Sequence, residues 1–210
     1  MTILSFEVNP FRENTYVLIN GSEALIFDPG FIDANEMNLL IQALDQHQAQ
    51  PVAVLLTHAH LDHVFGIDMV YNKYQIPVYL HPDDFVFWNH YATMGEVYGF
   101  NLRPFGFQPE PLSPGIHSFA GVEFDVRFTP GHAPGHLAYY IASEKTVISG
   151  DALFHESIGR TDLQFGDFKT LEHSIQTQLY TLPDDTKVLS GHGKPTTIGH
   201  EKRHNGFVRG

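Results

Sequence analysis

Short runs of β-branched and aromatic residues predict that the first part of the chain forms strands. The runs cover residues 3–8, 15–19 and 24–27, and the turn dipeptide Asn20-Gly21 separates the second from the third. Residues 51–56 form a wholly apolar run, which is typical of a strand that is buried on both faces. The pattern therefore predicts a sheet near the N-terminus.

Between these strands the apolar spacing changes to that of a helix. Asp33 and Glu36 resemble a capping box, and apolar residues follow three and four positions apart, which predicts a helix over 33–48. The same reasoning predicts helices over 82–98 and 168–179, a loop over 99–114, and strands over 78–80, 122–128, 137–141, 146–149 and 187–189. Because strands and helices are mixed throughout, we expect an α/β or α+β fold in one domain, residues 1–210.

Composition narrows the classes of function that the chain can have. Its 210 residues include no cysteine, which excludes disulfide scaffolds, zinc fingers and cysteine nucleophiles. A formal charge of −12 argues against nucleic acid as a partner. No apolar run approaches the roughly 20 residues of a membrane span, so we expect a cytoplasmic protein without a membrane partner. The 14 histidines exceed the 12 lysines and arginines, and imidazole is a common metal ligand.

Polar residues recur where predicted strands end. The strand over 51–56 is followed by an HxHxDH motif, and three later strands are each followed by a His or an Asp beside a glycine. The candidate metal ligands are His58, His60, Asp62, His63, His132, Asp151 and His192. Three imidazoles and a carboxylate within six residues are costly to bury without a cation. All seven side chains offer nitrogen or oxygen donors, which suit zinc, iron or manganese.

The order of these residues resembles the metal-binding series of the metallo-β-lactamase fold. The resemblance implies an αββα sandwich, in which two mixed sheets lie face to face with helices outside. It also implies two divalent metal ions, most simply zinc, with iron or manganese as alternatives. The first ion would be held by His58, His60 and His132, and the second by Asp62, His63 and His192, while Asp151 would bridge the two.

Two further segments are similar to the short, glyoxalase II-like hydrolases of this fold. They are residues 151–162, which contain Ser157-Ile158-Gly159-Arg160-Thr161-Asp162, and residues 191–202. The resemblance implies hydrolysis of an anionic small-molecule thioester, typically hydroxyacylglutathione, by a metal-bridging hydroxide that Asp62 orients as the catalytic residue. True β-lactamases of this fold generally carry a cysteine where Asp151 stands, and this chain has none.

Four other residues are candidates for supporting roles. Asp28 ends a predicted strand, and its carboxylate is expected either to fix a ligand histidine or simply to stabilise the turn. Arg160, Lys194 and Lys202 are candidates for contacts to a carboxylate-rich substrate. Arg160 has an alternative, which is an ion pair with Asp162 that would fix the loop between them.

Three other functions remain open at this point. A mononuclear iron persulfide dioxygenase resembles the chain in the Gly159–Asp162 segment and would use His58, His132 and Asp151. Another small-ester or lactone hydrolase of the same fold is a second alternative. A metal-binding protein without catalysis is the third, although a complete ligand set argues against it.

Overall fold

The computed structural model describes every residue, Met1–Gly210, and the chain forms two compact units, Met1–Leu112 and Ser113–Gly210. The first unit contains the strands β1 (Thr2–Val8), β2 (Glu13–Asn20), β3 (Glu23–Phe27), β4 (Gln50–Leu55), β5 (Val78–Leu80) and β6 (Glu110–Pro111). Its helices are α1 (Ala34–His47), α2 (Leu61–Val64), α3 (Ile67–Tyr74), α4 (Phe85–Asn89) and α5 (Tyr91–Val97).

The first unit is built on a six-stranded mixed sheet in which the strands follow chain order, β1 to β6. The first three strands pair antiparallel, and β3, β4, β5 and β6 pair parallel. Most of β2 and β3 is buried, as their runs of apolar residues require. The parallel pairing of β3 with β4 brings the residues after Phe27 and after Leu55 to the same edge of the sheet.

Helix α1 begins and ends where the sequence pattern predicts. The Asp33 side chain accepts hydrogen bonds from the backbone N–H groups of Asn35 and Glu36, at 2.8 and 3.0 Å. Glu36 reaches back and accepts from the N–H of Ile32 at 2.8 Å, which completes a reciprocal cap. At the other end Gln48 adopts a left-handed conformation with φ 52°, which stops the helix.

The expected helix over 82–98 is wrong as a single element. A single 3₁₀ turn over Pro82–Asp84 is followed by two short helices, α4 and α5, that break at His90. The His90 ring binds the carbonyl oxygen of Val86 through Nδ1 at 2.7 Å, and its backbone φ of −104° departs from helical geometry. The aromatic spacing predicted helical residues correctly but carried no signal for this break.

The second unit contains a second mixed sheet and a small hairpin. Its strands are β7 (Gly115–Phe119), β8 (Val122–Phe128), β9 (Leu137–Ile141), β10 (Thr146–Gly150), β11 (Leu153–Phe154), β12 (Ser157–Ile158), β13 (Lys187–Ser190) and β14 (Thr196–Thr197). Its helices are α6 (Phe168–Ser174), which widens into a π turn over Ile175–Leu179, and α7 (Ile198–His204).

The sheet of the second unit has the order β14-β13-β10-β9-β8-β7, and β11 pairs only with β12. Strands β10 and β13 are parallel, so the residues that follow both strands leave the sheet at the same edge. The β7 strand, the hairpin and α7 were not predicted. Strand β7 is mostly exposed, and two-residue strands and a helix rich in His, Lys and Arg give weak periodicity.

The expected fold class is confirmed, since each unit combines a mixed sheet with helices. None of the helices has the length and apolar character required to cross a lipid bilayer.

Candidate metal centre

The HxHxDH motif starts in the loop after β4 and runs into α2, which contains Asp62 and His63, and its four ligand side chains lie together. The ring of His58 lies 4.1 Å from that of His63 and 4.7 Å from that of His60, measured between centroids. Nε2 of His63 lies 3.9 Å from Oδ2 of Asp62. His58 and His63 are fully buried. The first unit therefore collects four of the seven predicted ligands at one edge of its sheet.

Asp28 and Thr57 fix the orientation of two of these imidazoles. Asp28 follows β3, and its carboxylate lies 3.1 Å from Nδ1 of His63. The same carboxylate accepts from the N–H and the hydroxyl of Thr57, at 2.7 and 2.6 Å. Because the Thr57 proton is given to Asp28, Oγ1 of Thr57 accepts from Nδ1–H of His58 at 3.0 Å. Both rings therefore carry their lone pair on Nε2, the form that binds a metal ion.

Glu13 lies behind this pair and was not found from the sequence. Burial raises the pKa of the Glu13 carboxyl well above its usual value, although the nearby imidazole of His63 opposes the shift. The Thr15 hydroxyl lies 2.8 Å from Oε2 of Glu13 and 2.8 Å from the carbonyl oxygen of Asp28, and it can donate to either acceptor. Gly30 packs so closely against Glu13 and the Asp62 carbonyl that a Cβ there would overlap both.

Asp84 is a second residue that the sequence did not reveal. It is fully buried, and its Oδ2 accepts from the backbone N–H of Ala59 at 2.7 Å. Ala59 stands between His58 and His60, so this bond holds the backbone of the motif. Asp84 lies 21 positions beyond the end of the motif, in the segment predicted as a helix over 82–98, and only the fold brings it close.

The remaining three predicted ligands converge in the second unit. His132 follows β8, Asp151 follows β10 and His192 follows β13. Oδ2 of Asp151 lies 3.5 Å from Nε2 of His132 and 3.5 Å from Nε2 of His192. Nδ1–H of His132 donates to the carbonyl oxygen of Arg160 at 2.7 Å, because a carbonyl can only accept. Its Nε2 lone pair is therefore directed to the side where Asp151 lies.

His136 holds the backbone of Asp151. The Asp151 N–H donates to Nε2 of His136 at 3.0 Å, so Nδ1 carries the proton and donates to Oγ1 of Thr129 at 2.8 Å. Gly159 also packs against this segment, since a Cβ there would overlap the Asp151 carbonyl oxygen and come within 3.0 Å of Cγ of His132. His136 is thus a positioning residue with both ring nitrogens engaged.

The three basic side chains that are predicted to bind substrate differ in their contacts. The guanidinium of Arg160 forms two hydrogen bonds of 2.9 Å with the Asp162 carboxylate, and both side chains are exposed. Lys194 is exposed on the loop after His192. The ammonium of Lys202 on α7 is engaged by Asp184 at 2.7 Å. The structure thus gives Arg160 the ion pair that the sequence offered as its alternative.

The donor set fits divalent metal ions. Each unit presents imidazole nitrogens and carboxylate oxygens at one sheet edge, with no thiolate among them. Three of the imidazoles, those of His58, His63 and His132, have their Nδ1 engaged by the protein, so their Nε2 atoms are available as donors. This arrangement of ligands and hydrogen-bonded supports is the one that protein metal sites use.

Comparison with known proteins places the chain in a family. The model of the metallo-beta-lactamase superfamily matches residues 8–192. The chain is 39% identical over 209 residues to the probable metallo-hydrolase YqgX of Bacillus subtilis, with 97% of this chain and 95% of that protein covered. It is 34% identical over 216 residues to the hydroxyacylglutathione hydrolase GloC of Haemophilus influenzae, with 99% and 98% covered.

Two solved structures are also similar to this chain. The B3 metallo-beta-lactamase BLEG-1 has a TM-score of 0.89 and 38% identity, with both chains fully covered. TTHA1623, solved in a di-iron-bound form, has a TM-score of 0.87 and 36% identity, with 98% of this chain and 100% of that chain covered. The chain therefore belongs to the metallo-beta-lactamase superfamily and is a metallo-hydrolase of that fold.

Proposed function

We propose that the protein hydrolyses a thioester of the hydroxyacylglutathione type at a centre of two divalent metal ions. The observation that carries the proposal is the fixed Nε2 presentation of His58, His63 and His132 by partners on their Nδ1 atoms. The likeness to GloC over nearly the whole of both chains supports the thioester as the substrate class. One family model spans both units, which supports treating residues 1–210 as a single domain.

In this proposal His58, His60 and His132 would hold one ion, Asp62, His63 and His192 would hold the other, and Asp151 would serve both. Oδ2 of Asp151 is equally distant from His132 and His192, which suits a carboxylate that serves both ions. Zinc is the simplest occupant of such a donor set, and the di-iron form of TTHA1623 supports iron as the alternative.

The bound ions would supply Lewis-acid activation of a water molecule and of the thioester carbonyl. Asp62 is the group that we propose to orient that water and take its proton. Its backbone carbonyl accepts from Nδ2 of Asn9 at 2.9 Å, and the same amide donates to the carbonyl of Gly30 at 3.0 Å. The backbone at Asp62 is thus fixed, which a group that transfers a proton requires.

Arg160 and Lys194 are the proposed contacts for the carboxylates of the substrate. Both are exposed in a chain of net charge −12, so each is a local cationic position on an acidic protein. The Asp162 carboxylate holds the Arg160 guanidinium in a defined orientation. The substrate role of Lys202 stays a prediction, and any such role requires that its ammonium leave or share Asp184.

The deciding experiment combines metal analysis with two assays on the full chain. We expect about two metal ions per chain and release of free thiol from a hydroxyacylglutathione thioester. Asp62→Ala is expected to abolish thiol release while circular dichroism shows the same fold as the native chain. One iron per chain together with oxygen uptake on glutathione persulfide would instead support the dioxygenase and refute the hydrolase.

A β-lactam is the second candidate substrate, because BLEG-1 is a metallo-beta-lactamase that matches this chain over its full length. The lack of a cysteine at Asp151 is therefore not sufficient to exclude that activity. A chromogenic cephalosporin assayed beside the thioester tests it directly. Faster turnover of the β-lactam than of the thioester would reverse the order of the two candidates.

A further inference from the structure

A second cluster of metal-binding side chains lies in the second unit and uses none of the seven predicted ligands. His155 and Glu156 form the turn between β11 and β12, and His200 and Glu201 lie on α7. Ligand atoms of His155, His200 and Glu201 all lie within 4.8 Å of one another. The rings of His155 and His200 stack with centroids 5.0 Å apart, and the ring of His204 lies 4.7 Å from that of His200.

Glu201 is the fixed anion of this cluster. It is fully buried, and its carboxylate accepts from the Thr196 hydroxyl at 2.5 Å. It also accepts from the N–H of Glu156 and from Nδ2 of Asn205, both at 2.9 Å. The three donors belong to three different segments of the chain, and together they hold the carboxylate in place without a cation.

His155 has a buried nitrogen that the protein leaves without a hydrogen-bond partner. Nδ1 of His155 is inaccessible to solvent and lies 3.8 Å from Oε1 of Glu201, too far for a hydrogen bond. With bonds of about 2.1 Å and tetrahedral angles, two ligands of one zinc ion lie about 3.4 Å apart. The separation of these two atoms is therefore close to that of two ligands sharing one cation.

His200 has a carboxylate on one of its ring nitrogens, as histidines that bind metal ions usually do. Its Nε2 lies 2.9 Å from Oε1 of Glu156, an exposed carboxylate. An ionised Glu156 can only accept, so Nε2 of His200 carries the proton and Nδ1 carries the lone pair. A carboxylate on one ring nitrogen raises the basicity of the other.

We propose that His155, His200 and Glu201 bind a divalent transition-metal ion, with zinc, nickel and copper as the suitable class because two of the three ligands are imidazoles. The ion would join helix α7 to the turn of the β11–β12 hairpin. That hairpin lies within the segment from Asp151 to Arg160, whose two ends both contact the predicted ligand His132. The ion would thus stabilise the segment that contributes to the candidate metal centre.

The test measures the binding of zinc to the full chain. The native chain, His155→Ala, His200→Ala and the control His173→Ala, which removes an exposed histidine of α6, are equilibrated with the same micromolar free zinc. Zinc per chain is then measured. We expect the native chain and His173→Ala to bind one ion more than His155→Ala and His200→Ala. An equal count in all four proteins would overturn the proposal.

A measurement on the native chain does not depend on the folding of any variant. In a zinc titration followed by nitrogen NMR, we expect the Nδ1 signals of His155 and His200 to shift together. The shift should occur as one further equivalent of zinc binds after the candidate metal centre is filled. Unchanged signals up to millimolar zinc would also overturn the proposal. Thiol release is assayed on the native chain, so failure here is separate from failure of the proposed hydrolase.

Discussion

The buried HxHxDH histidines and the His155–His200 cluster use similar side chains but differ in how firmly the protein holds them. His58 and His63 are fully buried, and their Nδ1 atoms are engaged by Thr57 and Asp28. In the other cluster the side chains of His155 and His200 are 26% and 34% exposed, and only His200 has a carboxylate within hydrogen-bond distance of its ring. Both arrangements offer donors, but only the first has a complete set of supports.

Because the two sites offer similar ligands, the hydrogen-bonded groups that hold those ligands should decide their affinity for a metal ion. A ligand whose tautomer and rotamer are already fixed loses less entropy when a metal ion binds. We therefore expect the HxHxDH donors to bind more tightly than the His155–His200 cluster. The carboxylates that contact these rings differ in the same way. Asp28, which lies beside His63, is buried, whereas Glu156, which lies beside His200, is exposed.

Asp28→Asn should produce the largest effect. The amide would place a donor among three donors that now converge on the carboxylate, from the N–H and hydroxyl of Thr57 and from His63. We expect the free energy of unfolding to fall by about 3 kcal/mol, because a buried donor then lacks an acceptor. Metal affinity should fall about 10- to 100-fold. Urea denaturation and metal titration measure the two effects.

The matched control is Asp83→Asn, since Asp83 also lies beside a histidine, 3.7 Å from Nδ1 of His81, but is exposed. It should leave stability and metal binding unchanged. If Asp28→Asn were as mild as this control, the claim that buried supports determine the strength of the HxHxDH site would fail.

Gly159→Ala should rank second. The added Cβ would overlap the Asp151 carbonyl oxygen and lie 3.0 Å from Cγ of His132, so the backbone of Asp151 and the ring of His132 must both shift. We expect a loss of about 2 kcal/mol in the free energy of unfolding, typical of overpacking, and weaker metal binding. Gly106→Ala is the control, because a Cβ there meets nothing within 4 Å. Equal stability and metal content in the two variants would contradict the prediction.

The same contrast explains what could be predicted from the sequence. The HxHxDH motif places four donors within six residues after a buried strand, so proximity was visible in the pattern itself. His132, Asp151 and His192 were found because each follows a strand and because their order resembles a known series. Helix α1 was predicted closely because its cap and apolar spacing act within a few residues.

The supports and the second cluster could not be found in this way. Glu13 and Asp84 reach the motif across 50 and 25 positions, and no local pattern links either residue to it. His155 and His200 are 45 residues apart on two elements, a two-residue strand pair and a charged helix, that give little periodicity. Contacts of this range follow from the fold, and a single sequence carries no direct record of them.

Glu156→Gln should have the smallest effect. Glutamine keeps a carbonyl oxygen that can accept from Nε2–H of His200, so the tautomer is preserved, while the negative charge is lost. Because Glu156 is exposed, water can also satisfy the ring, and the stability of the fold should not change. We expect zinc affinity at the His155–His200 cluster to fall less than about 10-fold, below the range for a buried support. Zinc titration of Glu156→Gln and Asp28→Asn measures the loss of affinity in each variant. If Glu156→Gln loses as much zinc affinity as Asp28→Asn, or more, burial is not what distinguishes the two carboxylates.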